Sequence, residues 1–328
     1  MISRMHPVLA SVVLGLGLSN HAVAQGTPGT YPAKSIRIIV PFTPGGPADM
    51  SARPIGQGLT ESWGQQVIID NRPGGSGNIG AELAAKSAPD GYTLLVATPG
   101  IIAVNPSLYS KLTFDTLRDF AGVTNTATTA SIMVVHPSLP VQSVRDLIRI
   151  ARARPGQLSY ATPGNGSASH LGTEMFKNIA NVDIVHVPYK GAAPGIIDLI
   201  GGHVQLMIIG MPVALPHVRS GKLKSLGVAS LKRSLAAPEL PTLNESGLPG
   251  FEVLNWIGLV VPAKTPRGIV SKLSAEIRRV LHKPDMKERL LAQGFEAVGN
   301  TPDEFDAYIR SEIVKWSKVV KQAGIKPD

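Results

Sequence analysis

The 328-residue chain contains no cysteine, which excludes disulfides and thiolate metal sites. Aromatic side chains make up only 5% of it, and the seven Phe and six Tyr are scattered, so there is no stacking platform of the kind that holds single-stranded nucleic acid. Beyond the first residues, no apolar run reaches the roughly 18 positions that a membrane-spanning helix needs. The histidines at His136, His186, His203, His217 and His282 show no H-E-x-x-H or other metal spacing. No metal site and no cofactor are therefore expected. Acids are outnumbered, 23 against 32 Lys and Arg, for a formal charge of +9. Such a balance favours anionic partners but says nothing of fold. The densest basic groups, "RDLIRIARAR" and "EIRRVLHK", have helical spacing and read as solvated helix faces. No nucleic-acid partner is expected.

What is present begins with a leader. Arg4 and His6 precede the apolar run "VLASVVLGLGL", and Ala22-Val23-Ala24 forms an A-x-A site before Gln25. This three-part pattern predicts a cleavable secretory signal peptide over residues 1–24 and hence a periplasmic protein. The segment holds one basic residue and no acid, so its removal lowers the charge to +8. The remaining length favours two domains.

Short β-branched runs then alternate with helix patterns. Strands are predicted at 36–42, 66–70, 93–98, 131–136, 158–162, 183–189, 204–209, 223–230 and 256–263, and helices near 47–63, 78–88, 143–153, 168–179, 192–201 and 266–282. The rhythm predicts an α/β fold with mostly parallel sheets flanked by helices. Thr301, Pro302 and Glu304 mark the start of a last helix, with Phe305, Tyr308, Ile309, Ile313, Trp316, Val319 and Val320 on one face and Gly324 as its stop. No linker divides the chain, so it is expected to cross between its domains more than once.

Two kinds of loop compete for an anion. "PGGSGNIG" satisfies G-x-G-x-x-G through Gly75, Gly77 and Gly80 after the strand-like "QVIID". The acid that a dinucleotide ribose would need about 20 residues on is missing, however. The loops "VPFTPGGPAD" (40–49), "YATPGNGSASHL" (160–171) and "VPYKGAAPG" (187–195), with "VATPG" (96–100), each join a strand to a helix start. Backbone N–H groups there favour carboxylate or phosphate. Pro47 suits the first helical position and Gly46 the cap. Asp49 either stabilises that helix start, pairing with Arg53, or holds a ligand amine or a bridging water. His170 is either a ligand donor or a structural histidine, and Lys190 either a solvated side chain or a ligand contact. Ser167 and His170, at i and i+3, lack the G-x-S-x-G elbow and a third orienting residue, which leaves an exported hydrolase poorly supported.

The stretches "YPAKSIRIIVPFTPGGPADMSAR", "DNRPGGSGNIGAELAAKSAPDGYTLL", "YATPGNGSASHL", "VHVPYKGAAPGIIDLIGGHVQLM", "LPTLNESGLPGFE" and "WIGLVVPAKTP" closely resemble the substrate-binding receptors of tripartite tricarboxylate transporters, the Bug family, from about Tyr31 to Asp328. The resemblance implies a two-lobed periplasmic binding protein of the type II, Venus flytrap class. Lobe 1 is expected at 31–127 with 252–328, and lobe 2 at 128–251. It further implies a non-enzymatic receptor that takes a small carboxylate (a di- or tricarboxylate or an aromatic acid), delivers it to integral membrane transporter subunits and works as a monomer. A receptor that docks on a sensor protein would have the same ligand site. By motif, Thr43, Pro44, Gly45, Gly46 and Asp49 would reach the ligand from lobe 1, with Thr98 on the same side. Thr162, Gly164, Gly166, Ser167 and His170 would take the carboxylate from lobe 2, with Lys190 near. Two departures bear on the ligand: Gly210-Met211 replaces a polar or acidic residue that could hold an amine, and Ile257 stands where relatives often carry an aromatic. The strand before "PGGSGNIG" is expected at the sheet edge, away from the cleft, and its turn is read as a tight connection offering a surface to the membrane partner.

Overall fold

The structure is a computed structural model that describes residues 31–323; the expected leader and Gly324 lie outside the described residues. In chain order the strands are β1 (Ile36–Val40), β2 (Val67–Asn71), β3 (Thr93–Ala97), β4 (Phe120–Val135), β5 (Ser159–Thr162), β6 (Val185–Pro188), β7 (Leu206–Gly210), β8 (Lys224–Ala229), β9 (Leu254–Pro262) and β10 (Glu296–Ala297). The helices are α1 (Pro47–Trp63), α2 (Asn78–Ala85), α3 (Asn105–Leu108), α4 (Thr116–Asp119), α5 (Val144–Ala153), α6 (Ala168–Ala180), α7 (Ala192–Ile200), α8 (Met211–Arg219), α9 (Arg267–Leu281), α10 (Pro284–Ala292) and α11 (Pro302–Ala323). A 3-10 turn, Gly75–Gly77, and a π-helical turn, Gly100–Val104, complete the set.

The strands hydrogen-bond in the order β2-β1-β3-β9-β4-β7-β5-β6, with β8 and β10 also pairing to β4. Two parallel sets, β2-β1-β3 and β7-β5-β6, flank the long antiparallel strands β9 and β4. β4 is 16 residues long and serves both sets. Its first part pairs with β9 and β10, and Ser131–Val135 pairs with β7 and β8. Register shifts after Gly122 and after Asn125 mark bulges that bend the strand between the sets. The chain thus passes from one set to the other along β4 and returns into β9.

Why these segments are strands follows from their burial. Ile36, Ile38, Ile39 and Val40 in β1 and Leu94–Ala97 in β3 are fully buried, as parallel strands covered on both faces require. Each such aliphatic side chain contributes about 1.5–3 kcal/mol. In the β4–β7 region the pleat divides the core in two. Met133, Val135, Leu206 and Ile208 pack with α5 and α6 residues such as Leu147 and Phe176. Ile132, Val134, Met207 and Ile209 pack with α7 and α8 residues such as Ile196 and Leu215. Around β3 and β9, Leu95, Trp256 and Val260 meet Phe305 and Ile309 of α11.

The sequence expectation lacks the short elements α3, α4 and β10 and three larger ones. The first part of β4 reads "FAGVTNTATTA", too polar for a predicted strand, yet Thr124, Asn125, Thr126 and Thr129 are buried there. The three threonines are paid back by bonds: Thr124 Oγ1 donates to Asn300 O (2.7 Å), and Thr126 and Thr129 donate to Ile257 O and Gly294 O (both 2.7 Å). The Asn125 backbone N–H donates to Asn300 Oδ1 (2.7 Å), while the Asn125 side-chain Oδ1 is left without a partner among the described residues. α8 carries Pro212 at its start and Pro216 inside, which obscures a helix in sequence. α10 opens at Pro284 so soon after α9 that the two read as one ending.

Candidate functional site

A cleft of about 690 Å³, counting its mouth, lies at the carboxyl ends of the parallel strands, where open α/β sheets bind ligands. Four elements bring helix starts to it. The turn after β1 supplies Phe42, Gly46, Pro47 and Ala48, with Gly46 capping α1. The loop after β5 supplies Pro163, Gly164, Asn165, Ser167, Ala168 and Ser169, with Ser167 capping α6. Ala192 opens α7, and Gly210 caps α8. Thr98 and Gly100 come from the end of β3, Ser131 from β4, and Asn255 from β9.

The lining includes no Lys, Arg, Asp or Glu. Its polarity comes from hydroxyls, amides and the first N–H groups of helices, which by position have no acceptor inside the helix. Each helix start carries roughly half a positive charge. Several converging on one cleft, with hydroxyl donors among them, suit an anion that is small and delocalised.

Behind the lining, charged groups are paired with one another and position the loops. Asp49 is only 4% exposed at its side chain. Its carboxylate accepts from Arg53 Nε and Nη2 (both 2.8 Å), from Gly45 N–H (3.0 Å) and from Asn71 Nδ2 (3.0 Å). Asn71 also donates to Phe42 O (3.0 Å), so the network ties "FTPGG" to the end of β2. Burial pushes the Asp49 carboxyl up, but the bonds from Arg53, Gly45 and Asn71 together hold it below its ordinary range.

On the other side, Ser167 Oγ accepts from His170 N–H (3.2 Å), the N-cap bond that starts α6. His170 Nδ1 accepts from Gly166 N–H (3.1 Å), which places the proton of the neutral ring on Nε2. The ring stacks on His186 (4.2 Å between centroids, 8°), and His186 stacks on Tyr160 (4.8 Å, 18°). His186 Nε2 and Thr162 Oγ1 are 2.7 Å apart. Tyr160 donates to Glu174 (2.5 Å), which pairs with Lys177 (2.8 Å). Burial, with His170 alongside, pushes the His186 imidazole down to about 4.

Among the residues expected from sequence, Gly46, Thr98, Gly164 and Ser167 therefore line the cleft. Asp49, Thr162, Gly166 and His170 stand behind it and shape the two loops. Pro44 and Gly45 are exposed at the turn, Thr43 packs against Gly191 across from it, and Lys190 is exposed. Gly210 lines the cleft as its sequence position implied, whereas Ile257 is buried away from it; Asn255 is the lining residue of β9. Sequence reasoning also missed Ser131 and Ser76. β2 does sit at the sheet edge, but its turn is not remote from the cleft: Ser76 in the middle of "GGSG" lines it. Here the expectation is corrected. The glycines of that motif serve backbone shape, since Gly75 and Gly77 have φ of +54° and +91°.

A sequence profile of the tripartite tricarboxylate transporter family receptor matches residues 51–325. The chain belongs to this family. Among its relatives, the UPF0065 protein in the tcbD-tcbE intergenic region of Pseudomonas sp. (strain P51) is 37% identical, covering 98% of this chain and 97% of that protein. Protein BugT of Bordetella pertussis is 37% identical over 96% and 97% of the two chains. Of solved structures, R. palustris Rpa4515 with adipate superposes with a TM-score of 0.88 at 41% identity, covering 91% of this chain and 100% of that one. MatC from Rhodopseudomonas palustris with bound malate gives 0.84 at 31%, covering 88% and 100%. The periplasmic binding protein BugD gives 0.87 at 32%, covering 91% and 100%. The architecture is thus that of a two-lobed periplasmic binding protein, and the family and its neighbours are receptors rather than enzymes. No helix among the described residues is long and apolar enough to cross a membrane.

Proposed function

We propose that the mature chain is a periplasmic receptor that captures a small carboxylate between two lobes, 31–127 with 252–328 and 128–251, and presents it to the membrane subunits of a tripartite tricarboxylate transporter after cleavage behind Ala24. The observation that carries this reading is the convergence of helix starts and hydroxyls on a cleft free of charged side chains. Ser167, Thr98 and the N–H groups after Gly46 and Gly164 are the proposed donors, with Thr43, Asp49, Thr162, Gly166 and His170 holding them in place. The adipate and malate in two solved relatives fit the same ligand class.

The lining also favours acids without an amine. No carboxylate faces the cleft, and Asp49 is committed to Arg53, Gly45 and Asn71. An ammonium group buried there would find hydroxyls and carbonyls but no counter-charge, which costs binding energy. Calorimetry on protein denatured and refolded to shed carried-over ligand tests this, with aliphatic, aromatic and hydroxy acids alongside aspartate and glutamate. An unaminated acid is expected to bind at least tenfold more tightly than its amino counterpart, and Ser167→Ala to weaken it by about tenfold. Preference for an amino acid, or indifference to Ser167→Ala, contradicts the reading.

A further inference from the structure

The GGSG turn holds the feature that the carboxylate loops leave unexplained. Ser76 has φ 52° and ψ 34°, a left-handed conformation that L side chains other than Asn and Asp seldom adopt. The conformation is held on several sides. Asn105 Nδ2 donates to Ser76 O (3.2 Å) and to Asn78 Oδ1 (2.7 Å), and Gly77 N–H closes on Gly74 O (3.0 Å). Tyr109, on the segment after α3 and packed beside Leu108 and Val104, donates its hydroxyl to Ser76 Oγ (3.1 Å). With its oxygen taken as acceptor, the Ser76 hydroxyl has its own proton left to donate.

Ser76 is also where the turn after β2 meets the loop after β5. A Cβ on Gly164 would lie 3.2 Å from Ser76 Oγ and 3.8 Å from its Cα, so the hydroxyl occupies the space that the glycine leaves open. Gly164, at φ +137°, is itself confined to a conformation suited to glycine. Both residues line the cleft.

We propose, on the carboxylate reading above, that Ser76 is a ligand-contacting residue of this receptor: its hydroxyl, oriented by Tyr109, donates to the carboxylate held by the Gly164–Ser167 loop. The carboxylate is then gripped from both parallel sets at once, so that binding the ligand and keeping the two loops together become one event. Ser76 determines affinity directly, and Tyr109 is a positioning residue that acts through it.

The test is calorimetry and thermal melting of refolded wild type, Ser76→Ala, Ser76→Gly, Tyr109→Phe and the Ser76→Ala/Tyr109→Phe double variant, using succinate, malate, adipate, citrate and benzoate as probes. Ser76→Ala is expected to weaken the best-bound acid by about tenfold or more, the effect of losing one charge-assisted bond. Ser76→Gly relieves the left-handed strain, so it should raise the ligand-free melting temperature by about 2 °C while weakening binding as much as Ser76→Ala does. A purely structural role would move both quantities the same way. Tyr109→Phe should weaken binding by a few fold in wild type and have no further effect in the Ser76→Ala background, because its contribution passes through that hydroxyl. If wild type binds an acid and both Ser76 variants bind it equally well, Ser76 is not a ligand contact and the proposal falls while the carboxylate reading stands. If wild type binds none of the five, the carboxylate reading fails with these probes and takes the proposal with it.

Discussion

Asp49 and His170 show how a residue can belong to a binding site without touching the cleft. Each was open to two readings in the sequence; in the structure Asp49 accepts from Gly45, Arg53 and Asn71, and His170 Nδ1 accepts from Gly166 N–H, bonds that support the positioning role proposed above. Chemistry alone could not separate the readings, because a carboxylate or imidazole near an anion loop suits either. Asp49→Asn keeps the shape but loses the charge that Arg53 answers; since Arg53 is half exposed, the expected loss is about 1–2 kcal/mol in urea denaturation, with weaker ligand binding as the loop loosens. The histidine stack predicts a pH effect. The unfolded chain protonates His186 near 6.5, whereas the folded protein resists until about 4. The stability tied to this group is therefore fully present above pH 6.5 and is lost as pH falls from 6.5 towards 4. His186→Gln should flatten the upper part of that decline in urea midpoints measured between pH 7 and 5.

At the level of elements, the sequence was most legible where burial is uniform. β1, β3, β7 and the helices α1, α6 and α9 fall within a residue or two of their predicted bounds, because continuous apolar runs and Pro or Ser starts are local signals. The first part of β4 was illegible because its buried threonines are satisfied by Asn300, Ile257 and Gly294, more than 100 residues away in sequence. The G-x-G-x-x-G run was misleading for a related reason. It has the composition of a phosphate turn, yet its last glycine answers to packing: a Cβ on Gly80 would sit 2.8 Å and 2.9 Å from Pro41 Cβ and Cα and 3.1 Å from Arg72 O. Two of those neighbours are backbone atoms and cannot swing aside. Gly80→Ala should thus cost about 1–3 kcal/mol of stability, although alanine is the better helix former. A melting temperature equal to that of wild type would show that β1 and α2 are less tightly apposed. The start of α11 is the opposite case, a purely local device read correctly: Glu304 accepts from Thr301 N–H (2.8 Å) and Thr301 Oγ1 from Glu304 N–H (3.3 Å). Thr301→Ala should destabilise by about 1 kcal/mol.

For the whole molecule, the β-α rhythm announced parallel sheets, and the composition of the loops pointed to the cleft at their carboxyl ends. What no local pattern could announce was which loops converge. The order β2-β1-β3-β9-β4-β7-β5-β6 brings the turns after β1, β2, β3 and β5 to one cleft, and the expected loops after β1, β3 and β5 are joined by an unexpected turn carrying Ser76. A ligand held by all of them must stabilise the fold. At a hundred times its Kd, a bound acid should add about 2.7 kcal/mol, visible as a concentration-dependent rise in melting temperature.

The central claim is that neutral donors and helix starts, without a cationic side chain, recognise carboxylate charge in this cleft. Its most direct test pairs each acid of a mono-, di- and tricarboxylate panel with the corresponding amide and measures both by calorimetry on the refolded protein. The amide has nearly the shape of the acid but no charge. The structure predicts that at least one acid binds and that its amide binds at least about tenfold more weakly. An amide that binds as tightly as its acid, or a panel in which no acid binds at all, would contradict it.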